Sequence, residues 1–98
     1  MNSAEKEGYE LLIKALLSLE TKEECDAFLE DLMTRKEILD IAQRMLVAKM
    51  LSEQAIYTKI VEETGASTAT ISRVNRSYLY GSGGYKKALE NILKTDEK

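Results

Sequence analysis

The sequence lacks several residue types on which catalytic and metal sites depend. It has no histidine, no tryptophan and no proline, and its one cysteine is Cys25. Without histidine the chain has neither the commonest general base nor the commonest metal ligand, and one cysteine cannot form an internal disulfide. No cationic neighbour that would activate Cys25 is apparent, so we interpret it as a small buried hydrophobic residue. No nucleophile–base pair is visible, and we expect a protein that is not an enzyme and uses no metal or other cofactor.

Long apolar runs are also absent. No segment approaches the roughly 20 apolar residues of a membrane-spanning helix. The N-terminal stretch MNSAEKEGYE lacks the apolar segment of a signal peptide. We therefore expect a cytoplasmic protein with no membrane partner.

Charge is unevenly distributed along the chain. The net charge is −3, from 17 acidic and 14 basic residues. Residues 1–40 contain 11 acids and 5 bases, a balance of −6, whereas residues 41–98 contain 6 acids and 9 bases, a balance of +3. Residues 64–89 contain four bases and no acid. Such a local basic region is compatible with nucleic-acid binding, even in a chain that is acidic overall.

Helical periodicity is what the sequence does contain. Apolar spacing predicts six helices and no strands: residues 3–19, 21–33, 34–51, 55–64, 67–78 and 85 onward. Capping-box spacings, Thr21 with Glu24 and Thr34 with Glu37, mark the starts of the second and third helices. We expect one all-α domain over residues 1–98, with a flexible break at the glycine-rich stretch 81–84 and a frayed end at 95–98.

The third predicted helix has a wide apolar band. Its candidate interior residues are Ile38, Leu39, Ala42, Met45, Leu46 and Leu51. A band this wide indicates burial on two sides, and a partner chain is a candidate for the second side. Dimerisation would also add stability to so small a chain.

Residues 54–78 have the pattern of a helix-turn-helix. Gly65 lies where the chain must turn, because glycine tolerates the left-handed backbone that ends a helix. Ser67 can cap the helix that follows. Buried positions are predicted before the turn at Ile56, Ile60 and Val61, and after it at Ala66, Ile71 and Val74. These offsets allow two short helices to cross over one shared core.

The second of these helices has a polar face suited to a DNA groove. Ile71, Val74 and Tyr78 cluster on one side, opposite small residues, hydroxyls and two arginines. Hydroxyls and arginines can bond bases or phosphates, small residues allow close approach, and missing acids avoid phosphate repulsion. A solvated surface helix is the simpler alternative, but Ser and Thr are poor helix formers. The predicted DNA-binding residues are Ser67, Thr68, Ala69, Thr70, Ser72, Arg73, Arg76 and Lys59.

The strings ETGASTATISR (63–73) and YLYGSGGY (78–85) resemble the Trp-repressor superfamily, and most closely its YerC/YecD branch. The resemblance implies a six-helix fold and an intertwined homodimer in which the first, second, third and last helices interlock. It also implies two helix-turn-helix units that face DNA. By position, Thr68, Ala69, Thr70 and Ser72 correspond to the family's operator-reading residues. The family's corepressor site corresponds to a candidate effector pocket of Gln43, Arg44, Arg73 and Ser77.

Two positions in that pocket depart from the family's pattern. Gln43 stands where the family has a second tryptophan-clamping arginine, and Arg44 lies about 100° further around the helix. Val74 replaces a glycine beside the indole, and its isopropyl group would crowd the cavity. We therefore do not expect a tryptophan corepressor, and leave open a pocket filled by side chains or by another small effector.

Two functions remain in competition. The first is a homodimeric, sequence-specific DNA-binding regulator of transcription, with repression as the expected effect. The alternative is an interaction adaptor whose helix-turn-helix docks a protein without reading DNA.

Overall fold

A computed structural model describes residues 1–96 and shows an all-α chain of six helices. Within that range the helices are α1 (Ser3–Ser18), α2 (Lys22–Leu32), α3 (Arg35–Ser52), α4 (Tyr57–Thr64), α5 (Thr68–Tyr80) and α6 (Gly84–Asp96). The chain divides into two compact units, Met1–Ile38 and Leu39–Lys98. The single domain expected over residues 1–98 stays a prediction. Among the described residues, no helix combines the length and apolarity that a membrane span requires.

Local capping defines the helices of the first unit. The Thr21 hydroxyl accepts from the Glu24 N–H at 3.1 Å, and a Glu24 carboxylate oxygen accepts from the Thr21 N–H at 3.2 Å. Thr34 and Glu37 form the same reciprocal pair. The Thr34 hydroxyl accepts from the Glu37 N–H at 3.2 Å, and a Glu37 carboxylate oxygen accepts from the Thr34 N–H at 2.9 Å. Both predicted capping boxes are confirmed. Asn2 forms a third box at the start of α1, which sequence inspection missed.

The first unit has no fully buried side chain in α1 or α2. Large apolar residues there are open to solvent in the single chain, among them Leu11 at 67 % and Leu17 at 81 % exposure. Cys25 is half-buried rather than fully buried as predicted.

The second unit contains the hydrophobic core. Its buried residues come from α3, α4, the turn and α5: Val47, Ala48, Met50, Ile60, Ala66, Ile71 and Val74. Half-buried Tyr85 and Leu89 of α6 pack against this cluster. The predictions for Ile60, Ala66, Ile71 and Val74 are confirmed.

The predicted interior of α3 was partly wrong. Leu39 and Leu46 are 54 % and 44 % exposed, whereas Val47 and Ala48 are fully buried. The helix is apolar on two sides, and periodicity alone did not show which side meets α4 and α5. Ile56 is also exposed, because it is the N-cap of α4, where the extended backbone takes its side chain off the helical stripe.

Several predicted boundaries shift. The fourth helix begins at Tyr57 instead of residue 55, and α5 continues two residues past Tyr78 to Tyr80. Gly81 is the residue after the end of α5, and glycine is required there because a Cβ atom would collide with the Ser77 carbonyl. The last helix begins at Gly84, so the glycine-rich break is confined to 81–83. The expected fraying at 95–98 fails for 95–96, which are helical, and residues 97–98 lie outside the described range.

Candidate nucleic-acid interface

The turn between α4 and α5 has the geometry of a helix-turn-helix. Gly65 adopts the predicted left-handed conformation, with φ of 73°, and its N–H donates to the Val61 carbonyl at 2.9 Å. The Thr64 hydroxyl donates to the Ile60 carbonyl at 2.7 Å and accepts from the Ala66 N–H at 3.1 Å. A side chain therefore links the last turn of α4 to the residue that enters α5.

The start of α5 is capped as predicted. The Ser67 side chain accepts from the Thr70 N–H at 3.1 Å, and its hydroxyl also donates to the Thr70 hydroxyl at 3.0 Å. The first turn contains no acidic residue. Its free backbone N–H groups and partial positive charge are compatible with an approaching phosphate.

The predicted groove-facing side chains lie on the open side of α5. Ile71 and Val74 are buried beneath the helix, whereas Thr70 is half-buried at the flank. The remaining predicted DNA-binding residues are all exposed: Lys59, Ser67, Thr68, Ala69, Ser72, Arg73 and Arg76. This placement suits contact with a duplex. The DNA contacts themselves stay a prediction.

A cavity of about 410 Å³ lies where α3, α5 and α6 meet. Its lining consists of Asp40, Gln43, Arg44, Thr70, Arg73, Val74, Ser77 and Tyr85. The structure thus brings together all four residues of the predicted effector pocket. Val74 forms part of the wall, and the expected crowding of an indole ring stays a prediction.

Sequence inspection missed two residues of this lining. Asp40 lies one turn before Arg44 on α3, so helical spacing could have included it. Tyr85 lies on α6 beyond the glycine-rich turn, and no local pattern places it beside α5. The lining combines cations, a carboxylate and hydroxyls, which suits a polar ligand.

Gln43 is also engaged at the helix-turn-helix. Its side-chain Nε2 donates to the main-chain carbonyl of Thr64 at 3.1 Å. The carbonyls of the last turn of a helix have no partner within the helix. Gln43 thus satisfies such a group from α3.

A second, largely apolar groove of about 650 Å³ lies along α3 and α6. Its apolar lining comes from Met45, Leu46, Leu89, Ile92 and Leu93. Leu46, Ile92 and Leu93 are 44 %, 50 % and 60 % exposed in the single chain. Such an apolar surface on a small protein is typical of an interaction site.

The lysines at the start of α6 have local contacts. The Lys86 Nζ lies 5.4 Å from the centre of the Tyr78 ring, and the Lys87 Nζ lies 3.9 Å from a Glu90 carboxylate oxygen. Glu90 also accepts from Lys94, at 3.0 Å, and this hydrogen bond is the main reason that the pKa of Glu90 is lowered. The Lys87 and Lys94 contacts lie within α6, and the Lys86 contact reaches Tyr78 on α5. Within residues 1–96, no cluster of His, Cys, Asp and Glu could hold a metal ion.

Comparisons with known proteins identify the family. The model of the family described as Trp repressor protein matches residues 7–93. The uncharacterized protein YerC of Bacillus subtilis strain 168 is 51 % identical over 85 residues, which are 87 % of this chain and 82 % of that protein.

Two crystal structures have the same fold. A TrpR-like protein from Eubacterium eligens superposes with a TM-score of 0.85 at 51 % identity, over 88 % of this chain and 89 % of that one. A protein from Staphylococcus aureus, described as a candidate Trp repressor, gives a TM-score of 0.84 at 42 % identity, over 94 % and 95 % of the two chains. The predicted six-helix, Trp-repressor-like fold is confirmed.

Proposed function

Because the chain belongs to the Trp repressor family, we propose that it is a transcriptional repressor that binds double-stranded DNA as a homodimer. The observation that carries the proposal is the open face of α5, with exposed Thr68, Ser72, Arg73 and Arg76 above a buried apolar side. Recognition helices of a twofold dimer meet successive major grooves about 34 Å apart. The operator is therefore expected to be roughly palindromic.

The test is a binding series with DNA selected by the purified protein. Arg76→Ala is expected to weaken binding to all sequences and to reduce the slope of affinity against salt by about 1. Thr70→Ala is expected to change the preference at one position of the site. Lys22→Ala, on the exposed surface of α2, removes the same charge and serves as the control. If neither α5 variant changes the affinity for any DNA, the recognition-helix assignment is wrong.

A column-retention experiment distinguishes direct DNA binding from the adaptor alternative. Retention of the protein on DNA and heparin columns supports direct DNA binding. Retention by protein partners alone, with no binding to either column at low salt, would instead favour the adaptor.

A second copy of the chain is the proposed occupant of the apolar groove between α3 and α6. The chain exposes apolar residues both on this groove, such as Ile92, and on α1, such as Leu17. A homodimer can cover both surfaces, and burial of apolar area drives such association. Sedimentation over a range of concentrations tests the proposal, which fails if the protein stays monomeric.

The cavity beside Arg73 is the proposed site of any small-molecule effector. Val74 lines it and its isopropyl group is expected to crowd an indole ring, so we do not propose tryptophan as the ligand. Calorimetric titration with tryptophan and with other amino acids tests both statements. Binding of tryptophan at micromolar concentration would overturn the statement that tryptophan is not the ligand.

A further inference from the structure

Gln43 forms a hydrogen bond that connects two distant parts of the second unit. Its half-buried side chain on α3 donates to the Thr64 carbonyl at 3.1 Å, across 21 positions of the sequence. Thr64 is the last residue of α4 and precedes Gly65, where the chain turns toward α5. The bond therefore acts on the turn that sets the direction of the recognition helix.

Thr64 also forms hydrogen bonds on both sides of the turn. Its hydroxyl donates to the Ile60 carbonyl within α4 and accepts from the Ala66 N–H just before α5. Ala66 is 2 % exposed and belongs to the core. The main chain and side chain of one threonine thus join α3, the end of α4 and the entry to α5.

Gln43 also lines the cavity that Arg44 and Arg73 share. Its amide donor is directed to the Thr64 carbonyl within the protein. The side chain at position 43 consequently lines the cavity and supports the helix-turn-helix at the same time.

We propose that Gln43 is a positioning residue for DNA recognition. Its hydrogen bond connects α3 to the end of α4 and fixes the entry of α5, so that the helix-turn-helix is held in one orientation for DNA. Without this hydrogen bond the turn samples more conformations, and part of the free energy of DNA binding is then used to order it. The inference rests on the proposed DNA-binding function.

Three substitutions at this position separate the donor from the shape of the side chain. Gln43→Met keeps the length and removes the donor. DNA binding is expected to weaken by at most about fivefold, the factor that corresponds to one hydrogen bond, because only the cost of ordering the turn is added to binding. Gln43→Glu is expected to be weaker still, because a carboxylate oxygen then faces the carbonyl oxygen. Gln43→Lys supplies a new donor of similar reach and is expected to restore most of the affinity. Lys22→Met introduces the same methionine at an exposed residue of α2, outside the helix-turn-helix, and is expected to bind like the parent.

Amide hydrogen exchange measures, in the absence of DNA, how far the Gln43–Thr64 hydrogen bond stabilises the turn. The Gly65 and Ala66 amides are expected to exchange faster in Gln43→Met and to recover in Gln43→Lys, while the Val47 amide in the core of α3 is unchanged. If Gln43→Met lowers the melting temperature but binds DNA as tightly as the parent, Gln43 is only structural and the proposal is overturned.

The two proposals fail in different ways. If the parent binds no DNA, the regulatory function is wrong and Gln43 has no role in recognition. Exchange at Gly65 and Ala66 still reports whether Gln43 braces the turn. If the parent binds DNA but exchange and affinity are both unchanged in Gln43→Met, the positioning role alone is wrong.

Discussion

Residues 1–38 and residues 39–96 are helical for different reasons. In the first unit each helix start is defined by a reciprocal cap, yet α1 and α2 bury no side chain completely. In the second unit α4 has no side-chain cap at its start, but it contributes fully buried Ile60 to a common core. Local hydrogen bonds can specify where a helix begins, whereas burial of apolar surface supplies most of its stability.

The difference indicates where each unit obtains its stability. The second unit packs the helix-turn-helix against α3 and α6 within the chain. The first unit exposes much of its apolar surface in the single chain, so its stability is expected to depend on a partner.

The largest expected effect is in the core of the second unit. Ile60→Ala leaves a cavity beneath the turn and is expected to lower the free energy of unfolding by about 2–5 kcal/mol. Chemical denaturation measures it. The exposed Ile56 of the same helix gives a matched control, since Ile56→Ala is expected to cost far less. Equal costs would contradict the assigned core.

The next effect concerns the apolar surface that the single chain leaves open. Leu46→Glu places a charge in the groove between α3 and α6 and is expected to shift the proposed dimer strongly toward monomer. Sedimentation equilibrium measures the shift. Lys49→Glu alters the polar part of the same groove and is expected to have the smaller effect. An unchanged dimer in Leu46→Glu would show that the partner does not cover this groove.

A smaller effect is expected at the cap of α3. Thr34→Ala removes the acceptor for the Glu37 N–H and is expected to cost about 1 kcal/mol of stability. Thr34→Ser keeps the hydroxyl and is expected to retain most of it. Thermal unfolding of both variants tests whether local caps define the first unit. Equal melting temperatures for Thr34→Ala and the parent would argue against that role.

The smallest effect is a dependence on pH. The pKa of Glu37 is lowered from its ordinary value of 4.5, chiefly by the hydrogen bond from the Thr34 main chain. A lowered pKa in the folded state means that the stabilisation is complete above the unfolded value and is lost as pH falls through the folded value. Stability measured from pH 6 to pH 3 is expected to fall less in Glu37→Gln than in the parent. Parallel curves would show that the cap contributes no pH dependence.

Much of α5 could be predicted because its determinants are close in sequence. The Gly65 turn, the Ser67 cap and the inward Ile71 and Val74 all follow from spacings of a few residues, and each was found where it was expected. The orientation of α3 could not be predicted in this way. Both of its sides are apolar, and Leu46 was predicted for the core while Val47 was omitted, whereas Val47 is the buried residue.

The sequence by itself determined the six helices, most of their ends to within one residue, and the polar face of α5, because caps, glycines and helical periodicity act over a few residues. Tertiary structure alone decided that Tyr85 joins Arg44 and Arg73 around one cavity, and that Gln43 reaches the Thr64 carbonyl. Those groups are far apart along the chain. They meet only because α3, α4, α5 and α6 pack around a common apolar core.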